Sequence, residues 1–145
     1  MLKGIDPLLD ADVLFALRAM GHGDRLVVAD TNFPADTVAR ETASGKLLRI
    51  ANADTERVLT AVLSVLPVEA VARMEVMGAP DEIPQVQADV QQLLNRAAPE
   101  AGEMTSIERF AFYDAAKTAY AVLTTGERQF YGCFILTKGV VPPDA

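Results

Sequence analysis

The chain has 145 residues, of which 13 are Lys or Arg and 20 are Asp or Glu, giving a formal net charge of −7. Its basic side chains are scattered rather than gathered into a stripe, which argues against nucleic acid as a partner, because phosphate neutralisation needs concentrated positive charge. With one cysteine and one histidine, a single copy can form neither an internal disulfide nor a zinc site of the usual kinds, so a reduced compartment and no metal are expected.

A chain of this length fits one domain, 1–145, large enough to bury roughly 70% of its unfolded surface. Its apolar stretches are broken by charge well short of the about 20 residues that a bilayer requires. The opening MLKGIDPLLDADVLF lacks a basic segment followed by an apolar stretch and a small-residue cleavage site, so a cytoplasmic location is expected.

In chain order, Val13, Leu14, Leu17 and Met20 share one face of a helix from Asp10 to Met20, with Asp10 as N-cap and Gly21 beyond its end. Gly21-His22-Gly23-Asp24 reads as a turn, and Leu26 to Asp30 as a buried strand with Asp30 at its carboxyl end. After the loop Asn32-Phe33-Pro34 come a short helix, Ala35 to Arg40, and a short strand, Leu47 to Ala51. Asp54 caps a helix that carries Val58, Leu59, Val62, Leu63 and Leu66 and stops at Pro67.

A third strand is expected over Ala72 to Met77, then a helix from Ile83 to Ala97. Thr105-Ser106-Ile107-Glu108 reads as the capped start of a further helix bearing Arg109, Phe112, Tyr113 and Ala116. Tyr120 to Thr125 and Tyr131 to Thr137 are rich in β-formers and separated by Gly126-Glu127-Arg128, so they are expected to close the chain as a hairpin. The alternation of strands and helices predicts an α/β layered fold, a mixed β-sheet flanked by helices and ending in a β-hairpin.

His22, the one histidine, stands between two glycines. Imidazole suits proton exchange near neutral pH, and its neighbours lack the bulk that would keep other groups away. Asp30 either faces a ligand beyond the carboxyl end of its strand or caps the turn that follows, and Asn32 reads as a turn residue. Arg109 and Tyr113, four apart, share a helix face and can present a guanidinium and a phenol to one pocket, whereas Phe112 and Tyr120 read as core. Tyr131-Gly132-Cys133 reads as a hairpin end with a buried thiol. No hydrolase, P-loop or dinucleotide-binding pattern is present.

Five ordered pieces carry a resemblance that spans the chain: Met1-Leu2-Lys3-Gly4-Ile5-Asp6-Pro7-Leu8-Leu9, Ala19-Met20-Gly21-His22-Gly23-Asp24, Ala29-Asp30-Thr31-Asn32-Phe33-Pro34, Glu108-Arg109-Phe110-Ala111-Phe112-Tyr113, and Thr125-Gly126-Glu127 running on to Tyr131-Gly132 and Lys138-Gly139-Val140. Together they resemble the fucose mutarotase and ribose pyranase family, and look closer to its fucose mutarotase branch. The resemblance implies an isomerase that interconverts the anomers of a reducing monosaccharide, without cofactor. It implies His22 as proton donor, Tyr113 as a participant, and Asp30, Arg109 and the Tyr131-Gly132-Cys133 segment as sugar-binding groups. Cys133 departs from the pattern, standing where the family usually has Asn. The resemblance further implies a ring-like homo-oligomer with sites shared between neighbours. The alternatives are a ribose-type pyranase and a non-catalytic sugar-binding or regulatory protein on the same fold.

Overall fold

In the computed structural model, which describes residues 1–145, the first helix, α1 (Ala11–Ala19), starts where the Asp10 carboxylate accepts a hydrogen bond from the Val13 N–H at 2.9 Å. At its far end the Lys138 ammonium donates to the carbonyls of Leu17 and Met20, satisfying groups that a helix terminus leaves open. Strand β1 (Arg25–Ala29) follows, then α2 (Ala35–Ala39), β2 (Leu47–Ile50) and α3 (Thr55–Leu63), the last capped by Asp54 through the Arg57 N–H. The remaining elements are β3 (Val68–Met74), α4 (Gln85–Ala97), a 3-10 turn over Pro99–Ala101, β4 (Thr105–Ile107), α5 (Arg109–Lys117), β5 (Ala121–Thr125) and β6 (Phe134–Lys138).

The six strands form one sheet in the order β2-β5-β1-β6-β3-β4. Pairing is parallel between β1 and β5, β2 and β5, and β3 and β4; β6 lies antiparallel to both β1 and β3. Five strands therefore end at the same edge, and β6 alone starts there. Alternation along β1 sends Leu26 and Val28 into a core shared with α1, α3 and α4, and Val27 and Ala29 into one shared with α2 and α5. The mixed sheet flanked by helices is the expected α/β layered architecture.

Three local expectations are corrected. The third strand begins at Val68 rather than Ala72 and ends at Met74, because Val68 and Val71 pair across to β6 around a bulge near Glu69 that hides the alternation. Beyond Met74 the chain turns away from the sheet. Thr105–Ile107 is an edge strand on β3, not the start of a helix. The cap of α5 is Glu108, whose carboxylate accepts from the N–H groups of Phe110 and Ala111, both at 3.0 Å, and those two donors hold its pKa below the ordinary value.

The terminal hairpin is absent. The segment after β5 is no tight turn: it passes over the carboxyl end of β1, where the Thr31 N–H donates to the Glu127 carbonyl at 2.9 Å. That crossing places β6 on the other side of β1 from β5. Gly126 is required by a close approach, since any Cβ there would run into the Ala51 carbonyl oxygen while its N–H donates to Ala53 at 2.7 Å. Gly126→Ala is expected to destabilise the fold by about 1–3 kcal/mol, the usual cost of overpacking, read as a lower urea midpoint at unchanged slope.

Candidate functional site

The chain segments that leave the common carboxyl edge of the sheet are tied together by Asp30, which is only 4% exposed. One carboxylate oxygen accepts the N–H groups of Asn32 and Phe33, each at 3.0 Å, and the other accepts that of Gly132 at 3.2 Å. Gly132 is squeezed between two acids: a Cβ would lie 2.8 Å from Glu127 Cγ and 3.5 Å from Asp30 Cβ. Glu127, also buried, spends its carboxylate on the N–H groups of Gln129 and Thr55, at 2.9 and 3.3 Å. Buried acids thus shape both loops, and backbone N–H groups satisfy the acids.

A cavity of about 310 Å³ opens beside Asp30. Asp30, Arg109, Tyr113, Tyr131 and Cys133, all anticipated from the sequence, line it together with Asn32, Phe33, Met74 and Phe130. Arg109 Nε donates to the Tyr113 hydroxyl at 3.0 Å, and its guanidinium lies 5.4 and 5.5 Å from the ring centroids of Phe110 and Tyr113. The Tyr113 hydroxyl favours the charged guanidinium and raises its pKa. Tyr113 in turn meets Phe33 edge to face at 5.3 Å. The Nη groups of Arg109 make no hydrogen bond within the chain, and the cavity it lines has mostly apolar and aromatic walls.

Tyr131 is the one non-glycine residue with positive φ, 63°, and its hydroxyl accepts the Met77 N–H at 3.2 Å. Cys133 is 2% exposed and packs in the core with Val27 and Ile135 while its neighbourhood reaches the cavity. Burial, reinforced by the Asp30 carboxylate, pushes its thiol well above the ordinary cysteine range, so it is neutral and can offer a ligand only weak hydrogen bonds.

His22 lies elsewhere. It precedes β1, whereas Asp30 follows it, and the five residues of β1 at about 3.3 Å each put roughly 16 Å of strand between the two ends. One chain therefore does not bring His22 to the cavity. The imidazole is exposed, and its Nε2 lies 2.9 Å from an Oε of Glu69 on β3. Gly23, at φ 86°, ties the His22 turn to β6 through the Lys138 carbonyl, and a Cβ on Gly139 would lie 3.3 Å from Glu69 Cβ.

Sequence reasoning assigned Glu69 no role and missed Phe33, Met74 and Phe130 as cavity walls. It also missed Gln87, which is fully buried on α4 and whose amide donates to the Tyr131 carbonyl at 3.1 Å. A signal existed: Gln87 falls at helical spacing with Val90 and Leu94, a polar residue on an apolar face. The neutral, buried state of Cys133 predicts that the native protein resists thiol alkylation at neutral pH and reacts with one equivalent once unfolded. Labelling followed by mass measurement checks this, and rapid native labelling would show an exposed thiolate instead.

The chain matches the model of the RbsD / FucU transport protein family over residues 3–141. It is 37% identical to the fucose mutarotase of Danio rerio, over 99% of this chain and 97% of that protein. Among solved structures, protein Atu2016, provisionally described as a sugar binding protein, is 60% identical with a TM-score of 0.94, covering 98% of this chain and 97% of that one. The fucose mutarotase of Streptococcus pneumoniae, solved in complex with L-fucose, is 32% identical with a TM-score of 0.87, covering 97% of this chain and all of that one. With a family model matched along nearly its whole length, the chain belongs to the RbsD / FucU family.

Proposed function

We propose that the protein is a sugar mutarotase, an isomerase that interconverts the α and β anomers of fucose or a close stereochemical relative. The observation that carries this reading is the cavity built on Asp30, Arg109, Tyr113 and Tyr131 in a chain similar over its length to fucose mutarotases. The volume of about 310 Å³ suits a small ligand with polar groups placed among apolar walls. A cytoplasmic location is part of this reading, and no helix of the chain is long and apolar enough to cross a membrane.

Anomerisation removes the O1 proton, breaks the bond between C1 and the ring oxygen, and delivers a proton to that oxygen. The resulting aldehyde is then closed on its other face by the reverse steps. No electrons are gained or lost, so two proton-transfer groups and a fixed pose suffice. An ionised carboxylate offers about four acceptor positions; Asp30 spends three on backbone N–H groups, which leaves one for a sugar hydroxyl. In this reading Arg109 fixes further hydroxyls, Tyr113 takes part in proton transfer, and the Tyr131-Gly132-Cys133 segment forms the sugar-facing wall, with Gly132 held in place through its N–H on Asp30.

His22 supplies the other proton transfer, and Glu69, 2.9 Å from its Nε2, orients the ring. Because His22 and the cavity occupy opposite ends of one sheet, the reaction needs the His22 end of one subunit beside the cavity of the next. Two different surfaces in contact make a heterologous interface, which gives a ring where the rotation between neighbours closes. Exposed apolar side chains at both ends support this arrangement: Phe110 and Phe130 near the cavity, Val140 and Val141 beyond Gly139.

Magnetisation-transfer NMR on fucose, galactose and ribose is expected to show accelerated anomer exchange, greatest for fucose. Only spontaneous exchange, with sugar still bound, would leave the sugar-binding alternative. His22→Ala should lower the rate by roughly 10²- to 10⁴-fold, and Glu69→Gln by less. The protein should sediment as a multiple of its 15.6 kDa chain. Co-assembling His22→Ala with Asp30→Asn subunits should restore part of the activity that each variant lacks alone; no restoration in mixed rings would place the whole site in one chain.

A further inference from the structure

Behind the cavity lie two polar side chains that the mechanism above does not use. Gln87, on α4, is fully buried, and Arg73, on β3, is 8% exposed. Arg73 spends its guanidinium on neutral acceptors: Nη1 donates to Gln87 Oε1 at 3.0 Å and Nη2 to the Pro80 carbonyl at 3.2 Å. Burying a cation against neutral partners is a costly way to fill a core, and an apolar pair of similar volume would do so more cheaply.

The arrangement fixes the Gln87 amide in one orientation. Its Nε2 donates to the carbonyls of Met74, at 2.7 Å, and Tyr131, at 3.1 Å. Carbonyls only accept and a guanidinium only donates, so the amide cannot turn over without losing all three bonds. Both carbonyls belong to residues that line the cavity.

Tyr131 is where this matters. Its φ of 63° is a conformation that a non-glycine residue keeps only where its surroundings over-determine it. The surroundings do so at three points: Gln87 holds its carbonyl, the Met77 N–H meets its hydroxyl at 3.2 Å, and Asp30 holds the next N–H, that of Gly132, at 3.2 Å. Gln87 and Asp30 hold the two ends of one planar peptide unit, the Tyr131 carbonyl and the Gly132 N–H, and of the two only Gln87 lies outside the cavity lining.

We infer that Gln87, oriented by Arg73, is a positioning residue for the sugar site: its amide locks Tyr131 in the left-handed turn and so sets where the Tyr131 ring and Gly132 meet the substrate. Without that donor the turn relaxes towards negative φ, and the ring leaves the cavity wall while Asp30, Arg109 and His22 stay in place. The inference rests on the sugar-site reading above and extends it to residues that touch no substrate.

The test uses anomer exchange and calorimetric titration with fucose, galactose and ribose on the full-length protein. Gln87→Met keeps the volume and removes every hydrogen bond; Gln87→Glu keeps the shape and the Arg73 contact but removes both N–H donors. Each is expected to raise KM and weaken sugar binding roughly tenfold, the loss of about one to two hydrogen bonds' discrimination, with a smaller change in kcat. Tyr131→Gly removes the ring and the backbone strain together, so adding Gln87→Met to it should have little further effect, whereas independent sites would add.

If Gln87→Met does not fold, Gln87→Glu decides, because its buried partner is a cation. Wild-type KM and affinity in either folded variant, or full additivity with Tyr131→Gly, overturns the positioning role alone. A wild-type protein that neither exchanges nor binds any of the three sugars overturns the sugar reading, and this inference with it.

Discussion

The structure depends on one buried carboxylate. Asp30 accepts N–H groups from the segment that leaves β1 and from the loop that crosses over its end. Truncating it would strand three backbone donors, each costing on the order of 1–3 kcal/mol if it stayed buried. The two loops would also lose their common anchor. The same carboxylate borders the cavity, so the bonds that fix the loops also fix an acceptor with one position free. In the proposed mechanism the side chain that ties the loops together also meets a sugar hydroxyl, because a carboxylate has more acceptor sites than the three backbone bonds consume.

The crossing loop follows from topology. With β1 flanked by β5 on one side and β6 on the other, the chain between β5 and β6 has to pass over the end of β1, carrying polar backbone across an apolar sheet edge. Side chains meet that need: the Thr125 hydroxyl donates to the Ala29 carbonyl at 2.9 Å and accepts the Glu127 N–H, and Glu127 accepts from Gln129 and Thr55. Two glycines give the passage room, Gly126 beneath the Ala51 carbonyl and Gly132 between Glu127 and Asp30. The cavity is the space left where this loop, the Asn32-Phe33 segment and the start of α5 fail to close over the sheet.

Legibility in the sequence tracked the range of the interactions. The helices around Val13 and Val58 are readable because cap and apolar period lie within or beside the segment, and the helix around Val90 is readable from its apolar period alone. β1 was readable because it is buried on both faces and therefore continuously apolar. The terminal hairpin was misread because Gly126-Glu127-Arg128 has turn composition; what overrides it is a long-range choice, the pairing of β1 with both neighbours. The Thr105–Ile107 strand was misread because a three-residue edge strand and a helix start share their Thr and Ser, and only the partner strand separates them. At the cavity, Asp30 could be singled out from its place at a strand end and Arg109 and Tyr113 from sharing a helix face, with their roles implied by the family resemblance, whereas Gln87 and Glu69 make contacts 44 and 47 residues away in sequence, beyond any local pattern.

The separation of His22 from the cavity is a consequence of the same sheet. A strand buried at its centre leaves polar groups room only at its two ends, and β1 has one at each: the Gly-His-Gly turn before it and the Asp30 carboxylate after it. The supports differ accordingly. The cavity end is held by buried polar networks, whereas the His22 end is held by backbone bonds to Lys138 and one exposed contact with Glu69. On the proposed shared site, the imidazole meets a second subunit's cavity, so it remains on the surface of its own chain and is not locked by burial there. Its orientation has to come from a partner that is itself exposed, and Glu69, on the bulged start of β3 beside Gly139, is placed to supply it. If subunits assemble as proposed, the interface would exclude water from this pair, strengthening an interaction that solvent weakens in the single chain.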